Sequence, residues 1–238
     1  MIDLPPPPQL WMPARPAIIR PGELVKPLAA FGGLVAPPFM KPAAAGITKT
    51  YVGFSVSDTP SFTMPAAGVM VVTCFGRAIA NRTVNSITID GVESLKVAHS
   101  GYVATSGLAA KSVAAGSRAV SITWSGALSY EGVHCWLLEG VASATPYSTN
   151  SAGSHSNSQT VTLNIPANGI AIYHAGHLNN VSMNWSTATE ASQDKGNNTS
   201  GHSAASKETA TLLTSHAETC TFGTTSNTSA CGASFSAA

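Results

Sequence analysis

Seven histidines, four cysteines and eleven carboxylates are the side chains of this 238-residue chain that could carry chemistry. The densest histidine pair is His174-Ala175-Gly176-His177. On a strand, positions i and i+3 point to opposite faces, so these two imidazoles do not converge on one ion and no metal site is expected. His134 stands beside Cys135 and Trp136, but neighbours along a strand also face apart, which denies the thiol its base. His134 is therefore expected as a hydrogen-bonded core or interface residue. Cys74, Cys135, Cys220 and Cys231 lack the CxxC and CxxH spacings of zinc or redox chemistry. Cys74 and Cys135 fall in apolar strands and read as buried small hydrophobes. Cys220 and Cys231 flank a Ser/Thr/Asn/Gly segment, and a hairpin there would allow a disulfide between them.

Among the carboxylates, Glu131 and Glu139 bracket one strand and could pair with Asp90 or Glu93 for sugar hydrolysis, although accidental pairs are expected among eleven acids. No Gly-x-Ser-x-Gly elbow, phosphate-binding loop or His-Glu-x-x-His occurs. Trp124, Trp136 and Trp185 could stack on sugar rings, yet aromatic residues at strand periodicity belong to cores. The expectation is a protein without catalytic residues, metal or cofactor.

Composition narrows the partners. Charged residues make up 10% of the chain and the net charge is +1, too little for binding nucleic acid through phosphate neutralisation or for a basic membrane-surface patch. No window approaches the ~20 apolar residues of a spanning helix. Prolines interrupt every candidate secretory signal, so folding in a cytoplasm is expected.

The elements that must position these residues begin at Thr48. From there Gly, Ser, Thr, Ala and Val dominate, and short apolar stretches alternate with turn residues. Val52, Phe54 and Val56 alternate on one strand. Val69 to Ile79 and Val133 to Leu138 are apolar on both faces and read as central strands. Ile87 and Ile89 lead into Asp90-Gly91, a strong hairpin signal, with Leu95 and Val97 returning. Val120, Ile122 and Trp124, and then Val161, Leu163 and Ile165, alternate with polar residues. Ser148–Ser158 and Glu190–Ser206 read as surface loops able to recognise a glycan. The segment Phe62–Val71 is similar to Leu163–Ile172 through a shared Pro-Ala-x-Gly between two strands, whose glycine is expected at positive φ. The fold expected over residues 48–238 is an all-β, antiparallel, jelly-roll-like sandwich.

Residues 1–47 differ. Eleven of the fifteen prolines lie before residue 43, including Pro5-Pro6-Pro7-Pro8. Proline fixes φ, removes a donor and keeps the preceding residue out of the helical region, so an extended Pro-rich arm is expected. A disordered tail is the alternative, but disordered linkers are poor in large apolar groups. Here Leu10, Trp11, Met12, Ile18, Ile19, Phe31 and Phe39 sit among the prolines and are expected to bind another chain.

The opening Asp3-Leu4-Pro5, Leu10-Trp11-Met12-Pro13 and Arg15-Pro16-Ala17-Ile18-Ile19-Arg20-Pro21, with Ser86–Val92, Val133–Leu138 and Pro166-Ala167-Asn168-Gly169, resembles virion-associated proteins of alphaproteobacterial phages and prophages. The resemblance implies a virion structural protein, made in the host cytoplasm and anchored by its arm to a head, neck or tail protein. It would be a capsid decoration or minor capsid protein, multicopy or homo-oligomeric in a symmetric particle. The alternative it leaves open is a tail or collar appendage whose sandwich binds a surface glycan. It carries over no catalytic residue.

Overall fold

The computed structural model describes residues 46–99, 102–194 and 200–238, all within the unit Lys41–Ala238. The arm residues Leu10, Trp11, Met12, Ile18, Ile19, Phe31 and Phe39 lie outside the described residues. Fifteen strands and no helix make up the described residues, and every pairing is antiparallel. The all-β expectation is met.

Three sheets stack in layers. The middle one orders β1 (Thr48–Ser55), β9 (Tyr130–Glu139), β3 (Gly68–Arg82), β7 (Tyr102–Val113) and β6 (Leu95–His99). A small sheet of β2 (Ser61–Met64), β8 (Gly116–Trp124), β4 (Val84–Ile89) and β5 (Val92–Glu93) covers one face. A six-stranded sheet covers the other: β10 (Ser148–Ile165), β15 (Leu213–Phe235), β11 (Ile170–His177), β14 (Gly201–Glu208) and β13 (Thr189–Asp194), with β12 (Met183–Trp185) on β15.

Strand alternation distributes the core. Met70, Val72 and Cys74 of β3, with Val133, Cys135 and Leu137 of β9, pack on the small sheet's Phe62, Ile87, Ile89 and Val120. The intervening residues Val69, Val71, Trp136 and Leu138 pack on Ile170, Ile172, Ala233 and Phe235 of the large sheet. Being covered on both sides is why β3 and β9 are apolar throughout, as a central strand requires. Beyond a register break at Ser156/Ser158, the far ends of β10 and β15 supply Val161, Leu163, Ile165, Cys220 and Phe222 to the outer face of β11.

Several expectations are corrected. A bulge between Tyr51 and Gly53 breaks the alternation of β1, so Val52 packs toward the small sheet, Phe54 toward the large one, and Val56 is exposed. The Asp90-Gly91 turn forms with φ of 50° and 70°, but the return strand stops after Glu93, whose Oε1 accepts the Ser94 and Leu95 N–H groups. Leu95 and Val97 cross instead to β7 in the middle sheet. In the second Pro-Ala-x-Gly, Asn168 rather than glycine takes positive φ. The glycines serve close approach: a Cβ on Gly68 would lie 2.6 Å from the Leu138 carbonyl oxygen, and one on Gly169 2.8 Å from that of Phe235. Ser148–Ser158 is the first half of β10, and Glu190–Ser206 contains most of β13 and β14.

Candidate functional site

The chemistry-bearing residues that converge are His134 of β9, His174 of β11 and His202 of β14, each fully buried. Alternation places them. His134 shares the face of Trp136 and Leu138, and His174 that of Ile170 and Ile172, so both point into the layer between the middle and large sheets. His202 is opposite Gly176 in the β11–β14 register, which sets it diagonally beside His174. The bulge in β1 turns both Tyr51 and Phe54 toward the same spot.

His134 Nε2 lies 2.8 Å from His202 Nδ1, and His174 Nε2 lies 3.4 Å from that same nitrogen. One nitrogen from each of the three rings lies within 4.8 Å of the other two. The outward nitrogens of two rings meet phenols: His134 Nδ1 is 2.8 Å from the Tyr51 hydroxyl and His202 Nε2 is 3.2 Å from that of Tyr130. Phe75 stacks on His202 at 5.6 Å and 20°, and Phe54 closes over His134 and His202. Two bare backbones make room, because a Cβ on Gly132 would collide with the His202 ring and one on Gly176 with Phe75. His174 Nδ1 and Thr73 Oγ1 are buried without a hydrogen-bond partner, and Thr73 stands directly opposite His134 in the β3–β9 register.

Burial, followed by the neighbouring imidazoles, holds His134 and His174 well below the ordinary histidine range, so both are neutral at pH 7. Neutral imidazoles with converging nitrogens can hydrogen-bond one another or ligate a metal. Sealed from solvent, they do not face a substrate.

His174 and His177 diverge as strand alternation requires. His177 Nδ1 accepts the Asn179 N–H at 2.9 Å, leaving Nε2 to donate to the Thr224 carbonyl at 2.9 Å. His134 is buried and hydrogen-bonded as expected, but the pairing with His174 and His202 comes from strands far apart in the chain. His202 was hidden in a Ser/Ala-rich stretch lacking apolar periodicity.

The carboxylates Asp90, Glu93 and Glu131, which could have paired for sugar hydrolysis, are engaged separately. Asp90 binds Arg118 at 3.2 Å and the Ala119 N–H at 3.1 Å, and Glu93 caps its own turn. Glu131 instead accepts the Asp58 N–H at 3.0 Å; burial first, and then the Asp58 charge, pushes its carboxyl upward. Asp58, Glu131 and Trp124 line an open hollow of about 460 Å³. All four cysteines are free and buried. The hairpin that would bring Cys220 to Cys231 does not exist. Both lie on the single strand β15, Cys220 facing the outer core and Cys231 the inter-sheet core. Compared with known proteins, the chain matches no family model, no curated sequence and no solved structure at a significant level.

Proposed function

We propose that the chain is a non-catalytic structural protein of a tailed-phage virion. Its Pro-rich arm over 1–47 attaches it to a head, neck or tail protein, and its body is a jelly-roll-like sandwich displayed in many copies as a capsid decoration or minor capsid protein. The observation that carries this reading is that the body's imidazole cluster and thiols are consumed inside a multilayered core. That is how a rigid scaffold is built rather than a cleft for turnover. The jelly-roll-like winding is supported by two long returns, β9 inserting between β1 and β3 and β15 between β10 and β11. The resemblance of the arm and body segments to virion-associated proteins supplies the particle. Burying the arm's apolar side chains at ~25 cal/mol per Å² would offset the cost of ordering them, a cost that proline lowers by stiffening the free chain.

The test compares full-length chain with residues 46–238 in cells producing the particle. The full chain is expected in purified particles in multiple copies, and the shortened one folded but unassembled. Full-length chain absent from particles refutes the virion role; shortened chain at undiminished copy number refutes the anchoring role of the arm.

One observation favours a second reading, a glycan-binding appendage: the hollow joins an indole, Trp124, to the carboxylates Asp58 and Glu131, the groups that contact sugars. Glycan-array binding by the full chain, lost in Trp124→Ala, would establish it; no binding on the array removes it.

A further inference from the structure

We propose that His134 Nε2, His174 Nε2 and His202 Nδ1 bind one closed-shell transition-metal ion, Zn²⁺ or Cu⁺, as an internal staple between the middle and large sheets. Three features of geometry carry this, independently of any role in a particle. First, three nitrogens bonded at ~2.0–2.1 Å to a tetrahedral ion sit about 3.3–3.4 Å apart. The observed separations of 2.8 and 3.4 Å need shifts of well under an ångström, and one nitrogen from each ring lies within 4.8 Å of the other two.

Second, proton placement leaves the metal-free cluster poorly satisfied. His202 Nδ1 is approached by two other imidazole nitrogens, yet it has a single lone pair or a single proton to offer. An ion uses all three lone pairs at once. Ligation also fixes the outer nitrogens of the rings as N–H donors, and for His134 and His202 a tyrosine hydroxyl stands at that place, the oxygen partner that ligating histidines use to fix ring and tautomer.

Third, the surroundings select the ion class. Among the described residues no carboxylate or thiolate joins the three imidazoles. Oxygen-seeking Mg²⁺ and Ca²⁺ are thereby excluded, while imidazole suits zinc and copper. A d¹⁰ ion imposes no geometry of its own and accepts three nitrogens, with an exogenous oxygen as a fourth ligand on Zn²⁺. The unpartnered Thr73 hydroxyl, opposite His134 on the same face, is placed to hydrogen-bond that oxygen.

The site closes only when the two sheets meet, so loading accompanies folding. The experiment therefore unfolds the full chain with chelator and refolds it with Zn²⁺, with Cu⁺ under anaerobic reductant, or with chelator alone. About one ion per chain is expected after gel filtration, with melting raised by roughly 5–10 °C at free metal a hundredfold above Kd. X-ray absorption should show imidazole nitrogens at ~2.0–2.1 Å. His174→Gln should abolish both stoichiometric uptake and the shift. Less than about a tenth of an ion per chain with either metal, or equal uptake by His174→Gln, overturns the proposal. If that variant fails to fold, the absorption spectrum of the wild type decides, because scattering by fewer than three imidazoles also overturns it.

Discussion

Glu218 offers the sharpest test of how the fold uses a buried charge. Its side chain is inaccessible to solvent, on β15, and the connection from β12 to β13 wraps over it. Oε1 accepts the Ser186 hydroxyl at 2.8 Å, the Thr187 N–H at 2.8 Å and the Ala188 N–H at 3.1 Å. Oε2 accepts the Thr187 hydroxyl at 2.6 Å and lies 3.3 Å from His216 Nε2. Burial pushes this carboxyl up, but the hydrogen bonds from Thr187, Ala188 and Ser186 outweigh it and hold the group below its ordinary range. Glu218→Gln keeps an acceptor for the three donors at Oε1 while removing the charge. Hydrogen bonds to an ionised acceptor are worth ~1.5–3 kcal/mol and neutral ones ~0.5–1.5 kcal/mol, so the loss is about 1 kcal/mol per bond. Ser186 and Thr187 are exposed and can turn to water, which reduces the expected total to about 2 kcal/mol near pH 7.

The pH dependence follows from the sign of the shift. A carboxyl depressed in the folded state stabilises fully above its unfolded value of about 4.3, and that contribution is lost as pH falls through the lower folded value. Urea unfolding of wild type and Glu218→Gln should therefore show a gap of about 2 kcal/mol near pH 7 that closes progressively from about pH 5 to about pH 2. A gap below about 0.5 kcal/mol near pH 7, or one unchanged in acid, would refute the account.

Three further outcomes are expected. Gly91→Ala places a Cβ at φ of 70° in the β4–β5 turn and should cost about 1–2 kcal/mol in chemical denaturation. Trp136 is 1% exposed with its indole N–H unpaired, so Trp136→Phe should cost under about 1.5 kcal/mol while Trp136→Ala costs about 3–5, read from thermal melts of the pair. Burial pushes the Cys74 thiol up to about 12 and raises the Cys135, Cys220 and Cys231 thiols as well. All four should therefore resist alkylation until unfolding and then react together under non-reducing conditions; a product with only two reactive thiols would reveal a disulfide.

How far these features can be read from the chain depends on whether their physics is local. β3 and β9 are legible because burial on both faces demands unbroken apolar runs, and the Asp90-Gly91 turn because it demands positive φ. β14 is not. Sandwiched between β11 and β13, its Gly201-His202-Ser203-Ala204-Ala205-Ser206 is buried throughout, yet small and polar residues satisfy that space without any apolar period. The same concealment hid His202. Strand alternation correctly separates His174 from His177, but it is silent about partners on other strands. Cys220 and Cys231 misled for a related reason: a Ser/Thr/Asn/Gly run resembles a turn, whereas here it continues one strand across a register break.

The internal similarity gives the cluster its setting. The two Pro-Ala-x-Gly connections lead into β3 and β11, strands central to the middle and large sheets, and these pack face to face through Val69, Val71, Ile170 and Ile172. Matching Phe62–Val71 to Leu163–Ile172 places Thr73 where the second copy has His174. Apolar contacts between two sheets are nondirectional and by themselves distinguish poorly between neighbouring registers. An imidazole cluster bonded to Tyr51 and Tyr130, with one ring from the middle sheet and two from the large one, can make these contacts in a single alignment only. A slip of one residue along either strand would turn His134 or His174 onto the opposite face, leaving its nitrogens against aliphatic side chains. Directional contacts join the same two sheets elsewhere as well, the Ser106 hydroxyl lying 2.6 Å from that of Ser229 and the Ser151 hydroxyl donating to the Ala98 carbonyl at 3.2 Å, and between these points the apolar layer needs only to be filled.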